Sequence, residues 1–365
     1  MTKKIALLLF RYFPYGGLQK DFLGVAKELL ERGNEIKVFT RSWEGDIPSS
    51  IDVTLLGEEG LTNFSKNKNY VRAIKEPLDH FSPDIVFGFN KMPGLDLYFA
   101  ADTCFGKQAI LKHPIQKITR RYKQSLEYEK SVFGNNSLTK LLLLNTKQAN
   151  DFQSFYNTHK ERITIVPPGI DEEWPLQKKI NINHLLDISD EKIILFVGSD
   201  FFRKGLDRAI LGMKHLAKKN IPSKLLVIGD DEKKPYLRLI QKLSLEKEIV
   251  FLGPRSDVAS FMKSADLLVH PAREEAAGNI IIEALVSGLP SLVSSEVGFS
   301  NLVLNYQAGS VVEGEFDQDK FNLILEQSFT SSKLETIKSL IMPLEKEEFF
   351  YSRFKFIADY IEKTF

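Results

Sequence analysis

Short apolar runs alternate along the chain with segments of helical periodicity. Ile5–Phe10 is one such run, as expected for a parallel strand that is covered on both faces. In Leu18–Glu31 the apolar residues then follow helical spacing, and the next strand is predicted at Glu35–Thr40. This rhythm predicts βαβ units and a mostly parallel sheet in the first half of the chain. Two further buried strands are predicted at Ile85–Phe89 and Leu141–Leu144.

The segment Val166–Pro175 interrupts this rhythm with prolines and a glycine that cannot continue a helix or a central strand. The alternation then resumes, and after about Gly314 the pattern becomes helical. We therefore predict an α/β fold of two doubly wound, Rossmann-like domains that face each other across a cleft. Their expected bounds are 1–166 and 167–345, followed by a terminal helix over 346–365. The predicted strands of the second half are Ile193–Val197, Leu225–Ile228, Ile249–Leu252, Leu267–Val269 and Ser291–Val293, and the predicted helices are Asp207–Lys218, Asp257–Ser264 and Asn279–Ser287.

The composition excludes several classes of protein. The 365 residues are 43% hydrophobic and 27% charged, and the net charge is +1. This is typical of a globular chain with two domains. Cys104 is the only cysteine, so an intrachain disulfide and a Cys-rich metal site are excluded. No apolar stretch approaches the ~18 residues that would span a bilayer. The run Ile5–Phe10 stops at Arg11, so we expect a strand there and not a signal peptide.

The loops that follow strands are the first place to look for a site, because ligands of doubly wound sheets bind beyond the carboxyl ends of strands. One such loop, 197–206, carries Arg203 and Lys204 near the expected start of a helix. Two cations beside free backbone N–H groups suit a phosphate. They could instead be a solvated basic pair, but cations at a helix start are unfavourable without an anion. We therefore favour a phosphate site.

A second loop, 270–279, lies between a strand and a helix and contains Glu275 and Gly278. Glu283 follows eight positions after Glu275, inside the helix. Two carboxylates can accept hydrogen bonds from the hydroxyl groups of a ribose or a hexose, and a glycine lets backbone N–H groups approach a ligand. The simpler interpretation is an acidic helix start, stabilised by the helix dipole.

Three other features carry less specific signals. Arg255 follows a strand and could contact a nucleobase or a phosphate. Gly16 and Gly17 form a turn after the first strand, which could let substrate approach the backbone or could only be a tight turn. Asp102 ends an apolar run and could bind acceptor hydroxyls, stabilise positive charge or cap the next helix.

These residues resemble the donor site of glycosyltransferase family 4, whose members are retaining enzymes with the GT-B fold. Further segments are similar to one branch, the bacterial lipopolysaccharide core glucosyltransferases that add the first glucose to inner-core heptose (glucosyltransferase I). The likeness is collinear from Arg11 to about Pro290. The segments that carry it are 13–19 (FPYGGLQ), 42–46 (SWEGD), 90–96 (NKMPGLD), 98–102 (YFAAD) and 167–170 (PPGI).

The resemblance implies a role for each matching residue. Glu275 would hold the donor sugar, Glu283 the ribose hydroxyls, and Arg203 with Lys204 the diphosphate. His270, which precedes the glutamate loop, would contact the sugar or serve the structure alone. Gly16 and Gly17 would form the turn beside the diphosphate and the acceptor, and Asp102 would be the acid at the reacting centre. The residues that would make further donor contacts are Arg255, Gly278 and Asn279.

The implied reaction moves glucose from UDP-glucose to an inner-core heptose with retention of configuration. Negative charge builds on the departing phosphate of such a donor. Arg203 and Lys204 can neutralise it, so we expect no cofactor and no metal ion. The chain has one Asp-x-Asp motif, Asp317–Asp319, which lies outside any strand-end loop, and we interpret it as chance. In GT-B enzymes the final helix crosses back to the first domain, and we expect the same of 346–365.

A basic segment over about 105–134 is a candidate membrane face. Ile115, Ile118, Tyr122 and Leu126 follow helical spacing, with cations around them. A basic amphipathic helix is typical of binding to an anionic membrane surface, and a helix packed on the first sheet is the alternative. With an acceptor in the inner leaflet, we expect a cytoplasmic protein, peripheral on the inner face of the inner membrane. The cations of this candidate face are Lys112, Lys117, Arg120, Arg121 and Lys123.

Other functions remain open at this point. Another family 4 enzyme would use a different UDP-sugar or glycan acceptor, and a sugar-nucleotide epimerase would share the two-domain layout without needing an acceptor. A nucleotide-sugar-binding scaffold without turnover would not need Glu275, Glu283, Arg203 and Lys204 together. Nucleic-acid binding is not expected, because aromatic residues are not interleaved with the cations as stacking platforms.

Overall fold

The protein is described here from a computed structural model. It covers 2–14, 16–109, 117, 119–171, 173–186, 190–330 and 333–365, without the side chain of Pro343. The chain divides into two compact units. The first unit consists of 1–169 together with 352–365, and the second unit consists of 170–351. The chain therefore passes between the units twice, at Gly169–Ile170 and again at Tyr351–Ser352.

The first unit is built on a sheet of seven parallel strands in the order β3-β2-β1-β4-β5-β6-β7. The central strand β1 is buried along most of its length, as its continuous apolar sequence requires. In the register of β1 and β2, Tyr12 lies opposite Trp43 at the carboxyl ends of both strands. The strands are β1 (Lys4–Tyr12), β2 (Glu35–Trp43), β3 (Asp52–Leu55), β4 (Ile85–Gly88), β5 (Leu97–Ala100), β6 (Lys140–Leu143) and β7 (Ile163–Ile165).

Helices cover this sheet, and several of them begin at polar caps. The side chains of Thr62, Thr119 and Asn145 accept hydrogen bonds from the first turns of α2 (Asn63–Ala73), α5 (Arg120–Phe133) and α6 (Thr146–Tyr156). Phe133 and Phe152 stack at 3.5 Å between ring centroids, which joins the last turn of α5 to α6 in the core. The helices are α1 (Gly17–Glu31), α2 (Asn63–Ala73), α3 (Lys75–Phe81), α4 (Phe105–Ala109), α5 (Arg120–Phe133) and α6 (Thr146–Tyr156), with a short 3₁₀ helix at Lys160–Arg162.

The second unit contains six parallel strands in the order β10-β9-β8-β11-β12-β13. They are β8 (Lys192–Val197), β9 (Ser223–Ile228), β10 (Ile249–Gly253), β11 (Leu267–His270), β12 (Ser291–Ser294) and β13 (Gly309–Val312). The helices are α7 (Ile182–Leu186), α8 (Phe201–Lys204), α9 (Leu206–Lys218), α10 (Lys234–Leu243), α11 (Val258–Ser264), α12 (Asn279–Val286), α13 (Ser300–Asn305), α14 (Gln318–Thr330) and α15 (Lys333–Ile341). Three 3₁₀ helices lie at Trp174–Leu176, Met342–Lys346 and Glu348–Tyr351.

The C-terminal helix α16 (Arg353–Thr364) belongs to the first unit and packs against α1. Arg353 is fully buried, and its Nη1 lies 2.6 Å from Oδ1 of Asp21 on α1. A Cβ added at Gly24 would lie 2.4 Å from the Phe354 ring, so the two helices approach closely there. The return to the first unit comes at Ser352 and not at 346, since Phe350 still packs on Tyr306 at 5.4 Å in the second unit.

The predicted α/β class with mostly parallel sheets is confirmed, and each predicted strand and helix is present with its ends shifted by a few residues. The structure adds four strands that the pattern did not predict. Three of these, β3, β7 and β13, are short strands at the sheet edges, where one side is partly solvated and the apolar run is interrupted. The fourth, β5, is fully buried but has only four residues.

Candidate active site

The four candidates Arg203, Lys204, His270 and Glu275 come together at one edge of the second sheet. Arg203 and Lys204 follow β8, whereas His270 ends β11 and Glu275 follows it. Because β8 and β11 are paired neighbours in a parallel sheet, their carboxyl ends meet at the same edge.

The cations lie on a separate helical turn that directly precedes the long helix, near whose start they were expected. The turn α8 ends at Gly205, whose φ of +80° breaks the helix before α9 begins. A Cβ at Gly205 would lie 2.1 Å from the carbonyl oxygen of Pro271, so this position also needs a glycine for close approach. Asp200 caps the turn, and its carboxylate accepts hydrogen bonds from Arg203 N at 3.3 Å and from Arg203 Nε at 2.7 Å.

The centre of the site is the carboxylate of Glu275, whose side chain is 17% exposed. Its Oε2 lies 2.9 Å from Arg203 Nη1, 3.8 Å from Lys204 Nζ and 3.9 Å from His270 Nε2. Arg203 Nη1 also donates to the carbonyl oxygen of Glu274 at 3.0 Å. The backbone of Glu275 is fixed in turn by Gly298, whose N–H donates to its carbonyl oxygen at 3.0 Å. The site thus holds two cations around one carboxylate on a fixed loop.

The surroundings shift the pKa of two of these groups, Arg203 and His270. Burial lowers the pKa of Arg203, but Glu275 and then Asp200 outweigh it and raise the pKa above its ordinary value. Burial, followed by the charges of Lys204 and Arg203, lowers the pKa of His270 well below its ordinary value. The imidazole is therefore neutral at neutral pH, and its 3.9 Å approach to Glu275 is not an ion pair.

Around the loop of Glu275, some buried polar atoms have no hydrogen-bond partner among the described residues. They are Nδ1 and Nε2 of His270 and Oδ1 of Asn279, the first residue of α12. Gly278 precedes it with a φ of +82°, and a Cβ there would lie 2.3 Å from Cγ1 of Val297 and 3.6 Å from Cγ of Glu275. Buried polar atoms are nearly always satisfied in proteins, so unpaired ones at a strand-end loop are sites that a polar ligand can satisfy.

A supporting contact that the sequence reasoning missed ties the two loops together. Arg273 forms two hydrogen bonds with the carboxylate of Asp207, at 2.8 and 2.7 Å, and its backbone N–H donates to Arg203 O at 2.7 Å. Its guanidinium lies 4.0 Å from the centroid of the Phe202 ring. Arg273 stands in the same loop as Glu275, and Asp200 stands three residues before Arg203, so both could have been considered from their loop positions.

Two further donor-site candidates lie on other parts of the second unit. Arg255 follows β10 and forms two hydrogen bonds of 2.7 Å with Asp257, and its guanidinium lies 4.7 Å from the Phe261 ring. Glu283 lies in α12 and is partly exposed, whereas its neighbours Ile282 and Ala284 are buried.

The candidates of the first unit lie at the carboxyl ends of β1 and β5. A Cβ at Gly16 would lie 1.8 Å from Oε1 of Gln19, so the turn and that side chain fit together closely. By contrast, a Cβ at Gly17 would have no described atom within 4 Å, which leaves open space at the start of α1. Asp102 follows β5 and is exposed, and its carbonyl oxygen accepts a hydrogen bond of 2.7 Å from Gln148.

The basic segment is described in part. Lys112 lies outside the described residues, as do Ile115 and Ile118, whereas Lys117 is described and half-buried. Tyr122 packs on Phe105 at 5.6 Å between ring centroids, so the apolar side of α5 packs within the first unit. No helix among the described residues has the length and apolarity to cross a bilayer. The exposed cations of α5 include Arg120, Arg121 and Lys123.

Comparison with known proteins identifies the family. Residues 177–337 match the family described as glycosyl transferases group 1. Over 338 residues the chain is 37% identical to the lipopolysaccharide glucosyltransferase WaaG of Escherichia coli (strain K12), and the match covers 90% of each protein. A crystal structure of WaaG, described as a glycosyltransferase involved in lipopolysaccharide biosynthesis, matches with a TM-score of 0.90 at 35% identity and covers 98% of this chain and 99% of that chain.

More distant structures share the fold. Anabaena HepE in complex with UDP and glucose matches with a TM-score of 0.73 at 17% identity, and the match covers 99% of this chain and 100% of that chain. At this identity the likeness shows the fold alone. The two parallel α/β units and the relatives together confirm the expected GT-B fold class and the expected enzyme class. The chain therefore belongs to the group 1 glycosyltransferases, in the branch that contains the lipopolysaccharide glucosyltransferase of Escherichia coli.

Proposed function

We propose that this glycosyltransferase moves glucose from UDP-glucose to an inner-core heptose of lipopolysaccharide, with retention of configuration and without a metal ion. The observation that carries the proposal is the contact of Arg203 and Lys204 with Glu275 at the carboxyl edge of the second sheet. The name of the relative that is 37% identical supports glucose as the sugar and lipopolysaccharide as the acceptor class. Retention follows from the resemblance to family 4.

The two cations are suited to the departing group. When the bond between the glucose C1 and the β-phosphate oxygen breaks, negative charge builds on the diphosphate, and fixed positive charges stabilise it. Arg203 is held by Asp200 and by Glu275, so its guanidinium is oriented before the substrate binds. Preorganised cations of this kind supply the charge stabilisation that a metal ion gives in other transferases.

The carboxylates are suited to the sugar hydroxyls. The contacts of Arg203, Lys204 and His270 all converge on Oε2 of Glu275, so Oε1 can accept a hydrogen bond from a hydroxyl of the glucose. Glu283 would accept from the ribose hydroxyls, since it is the partly exposed position in a buried stretch of α12.

The unpaired atoms of the donor site complete this assignment. Asn279 and His270 can pair with polar groups of the donor, and the backbone at Gly278 can approach it. Arg255, which Asp257 orients, would border the nucleotide beyond β10.

The first unit would supply the acceptor side. The open space at Gly17 allows the diphosphate or the acceptor to lie against the first turn of α1, and Gly16 completes that turn. Asp102 is exposed after β5 and is assigned to the reacting centre, where it would bind the acceptor hydroxyl or stabilise positive charge.

A donor screen tests the reaction. The purified enzyme is given UDP-glucose, UDP-galactose and UDP-N-acetylhexosamines with a truncated heptose-containing core acceptor, in the presence of a chelator. We expect transfer from UDP-glucose alone, and an α-linked product by NMR. Preference for another UDP-sugar would identify a different family 4 enzyme, free sugar products without acceptor would indicate an epimerase, and loss of rate with the chelator would refute metal independence.

The phosphate assignment has its own test. Lys204→Ala should lower the transfer rate by at least tenfold, about 1.4 kcal/mol of transition-state stabilisation. Lys242→Ala is the matched control, because this lysine is exposed in the last turn of α10. Rates of Lys204→Ala within twofold of wild type would defeat the assignment.

We also propose that the protein is peripheral on the cytoplasmic face of the inner membrane, held by the cations of α5. Arg120, Arg121 and Lys123 are exposed, and each cation near anionic lipid contributes about 1 kcal/mol. Sedimentation with anionic vesicles should show binding that the triple change of these residues to Glu removes. The matched control carries the same three changes at the exposed cations of α10, Lys234, Arg238 and Lys242. Equal binding to neutral and anionic vesicles at low salt would exclude this proposal.

A further inference from the structure

A buried carboxylate lies beneath the loop that carries Asp102, and it has no part in the donor site. Glu129, on the buried side of α5, is 0% exposed. Its Oε1 accepts hydrogen bonds from Lys91 Nζ at 2.5 Å and from the backbone N–H of Phe105 at 2.9 Å. Its Oε2 accepts from the N–H of Gly106 and from the hydroxyl of Tyr156, both at 2.7 Å.

The loop that carries Asp102 has further contacts with the side chains of Lys91 and Gln148. Lys91, in the loop after β4, also donates to the carbonyl oxygen of Thr103 at 3.1 Å. Gln148 on α6 donates to the carbonyl oxygens of Ala100 and Asp102, at 2.8 and 2.7 Å. The backbone on both sides of Asp102 is therefore bound by side chains from three other elements, namely α5, α6 and the loop after β4.

The buried charges of Glu129 and Lys91 destabilise the fold unless all of their hydrogen bonds are formed. A buried ion pair often stabilises a fold less than apolar side chains of the same volume would, because both ions lose their hydration. The charge of Glu129 also acts on neighbouring side chains. Burial, followed by the charge of Glu129, raises the pKa of Cys104 to about 11 and that of Tyr156 above its usual range. Among the described residues, five donors converge on the carboxylate, counting the Cys104 thiol at 3.9 Å, so both its position and its orientation are fixed.

We propose that Glu129 and Lys91 are positioning residues for Asp102, and that they set the place of its carboxylate on the acceptor side of the transfer reaction. The inference rests on the proposed function, since it takes Asp102 to act at the reacting centre. It assigns to the buried pair an effect on the rate of transfer and none on the donor contacts of Arg203, Lys204 and Glu275, which lie in the second unit.

Conservative variants test the proposal in the full-length enzyme. Glu129→Gln keeps the volume and removes the charge, and Lys91→Met removes the partner. Both should lower kcat by at least tenfold while the KM for UDP-glucose and the affinity for UDP stay within twofold of wild type. Glu127→Gln is the matched control, because it removes the same charge from an exposed position of the same helix. Lys91→Arg should retain more activity than Lys91→Met.

A double-mutant cycle separates positioning from simple loss of structure. If the pair acts through Asp102, then Glu129→Gln should lower the rate of the Asp102→Asn enzyme by less than twofold. Multiplied losses, an unchanged kcat in Glu129→Gln, or full activity of Asp102→Asn would overturn the inference. If Glu129→Gln does not fold, the same cycle is measured with Lys91→Met. A wild-type enzyme that transfers no sugar to heptose would refute the proposed function itself, and UDP binding shows whether the donor site is intact.

Discussion

Replacing Glu275 by Gln should have opposite effects on nucleotide binding and on sugar transfer. In the structure Glu275 is the counter-ion of Arg203 and Lys204, at 2.9 and 3.8 Å. A bound diphosphate needs the same two cations, so the carboxylate and the ligand compete for them. Gln has nearly the same shape and can still accept a hydrogen bond from Arg203, but it carries no charge to compete.

The magnitude follows from the Lys204 distance. At 3.8 Å an ion pair is worth about 1 kcal/mol in water and about 4 kcal/mol at an effective dielectric constant of 20. A value near the lower end applies here, because the side chains of Lys204 and Glu275 are both still 17% exposed and solvent screens the pair. About 1 kcal/mol corresponds to a roughly fivefold change in affinity. We therefore expect Glu275→Gln to bind UDP about threefold to tenfold more tightly than wild type.

Transfer should fall in the same variant. The oxocarbenium-like transition state carries positive charge near the sugar ring, and the variant lacks the negative charge beside it. A loss of about 100-fold in kcat, near 2.7 kcal/mol, is typical for one electrostatic contact of this kind. Calorimetric titration with UDP and a transfer assay measure the two effects, with Glu246→Gln as an exposed control of equal charge change. Weaker UDP binding by Glu275→Gln would refute the competition and show that the carboxylate organises the cations for the ligand.

Three further predictions concern other parts of the chain. Gly17→Ala should leave the melting temperature unchanged or higher, since a Cβ there has open space, yet lower transfer at least tenfold if substrate occupies that space. Arg353→Met should lower the free energy of unfolding, measured by chemical denaturation, by ~3–5 kcal/mol, because it leaves Asp21 as an unpaired buried carboxylate. The double variant Arg353→Met with Asp21→Leu should recover much of this stability, and no recovery would contradict the pairing. His270 has a lowered pKa in the folded state, so its contribution to stability is complete above pH ~6.5 and is lost as the pH falls from there towards the folded pKa. Below that pH the free energy of unfolding should decline by up to ~1.4 kcal/mol per pH unit more in wild type than in His270→Gln. Parallel stability curves of the two proteins against pH would show that the imidazole titrates normally.

The strands and helices of the two sheets could largely be predicted, because both sheets are parallel and buried on both faces. A strand such as β8 must then be a continuous apolar run, which is easy to recognise in a sequence. The edge strand β3 could not be predicted in this way. It has four residues of which none is buried, so its sequence carries no core signal and its pairing is set by β2.

The candidate site was predictable in its residues but not in its geometry. Strand-end position singled out Arg203 and Glu275, because parallel strands bring their carboxyl ends to one edge. The supporting contact of Arg273 with Asp207 depends on the conformations of two loops. The buried role of Glu129 was likewise hidden, since the sequence of a basic helix with two acids, Glu127 and Glu129, gives no sign of which acid is buried.

The separate turn α8 resolves the electrostatic conflict that the sequence presents. Two cations at the start of a long helix would oppose the positive end of its dipole. In the structure Arg203 and Lys204 instead occupy the end of the short turn, while Asp200 caps its beginning and the acid Asp207 lies in the first turn of α9. Both cations directly precede α9, but Asp200 and Glu275 pair with them, and Asp207 gives the first turn of α9 the acid that its dipole favours. The cations need no bound anion to make the turn stable, so a diphosphate that enters the site meets charges already in place, and the free energy of its binding is available for the reaction.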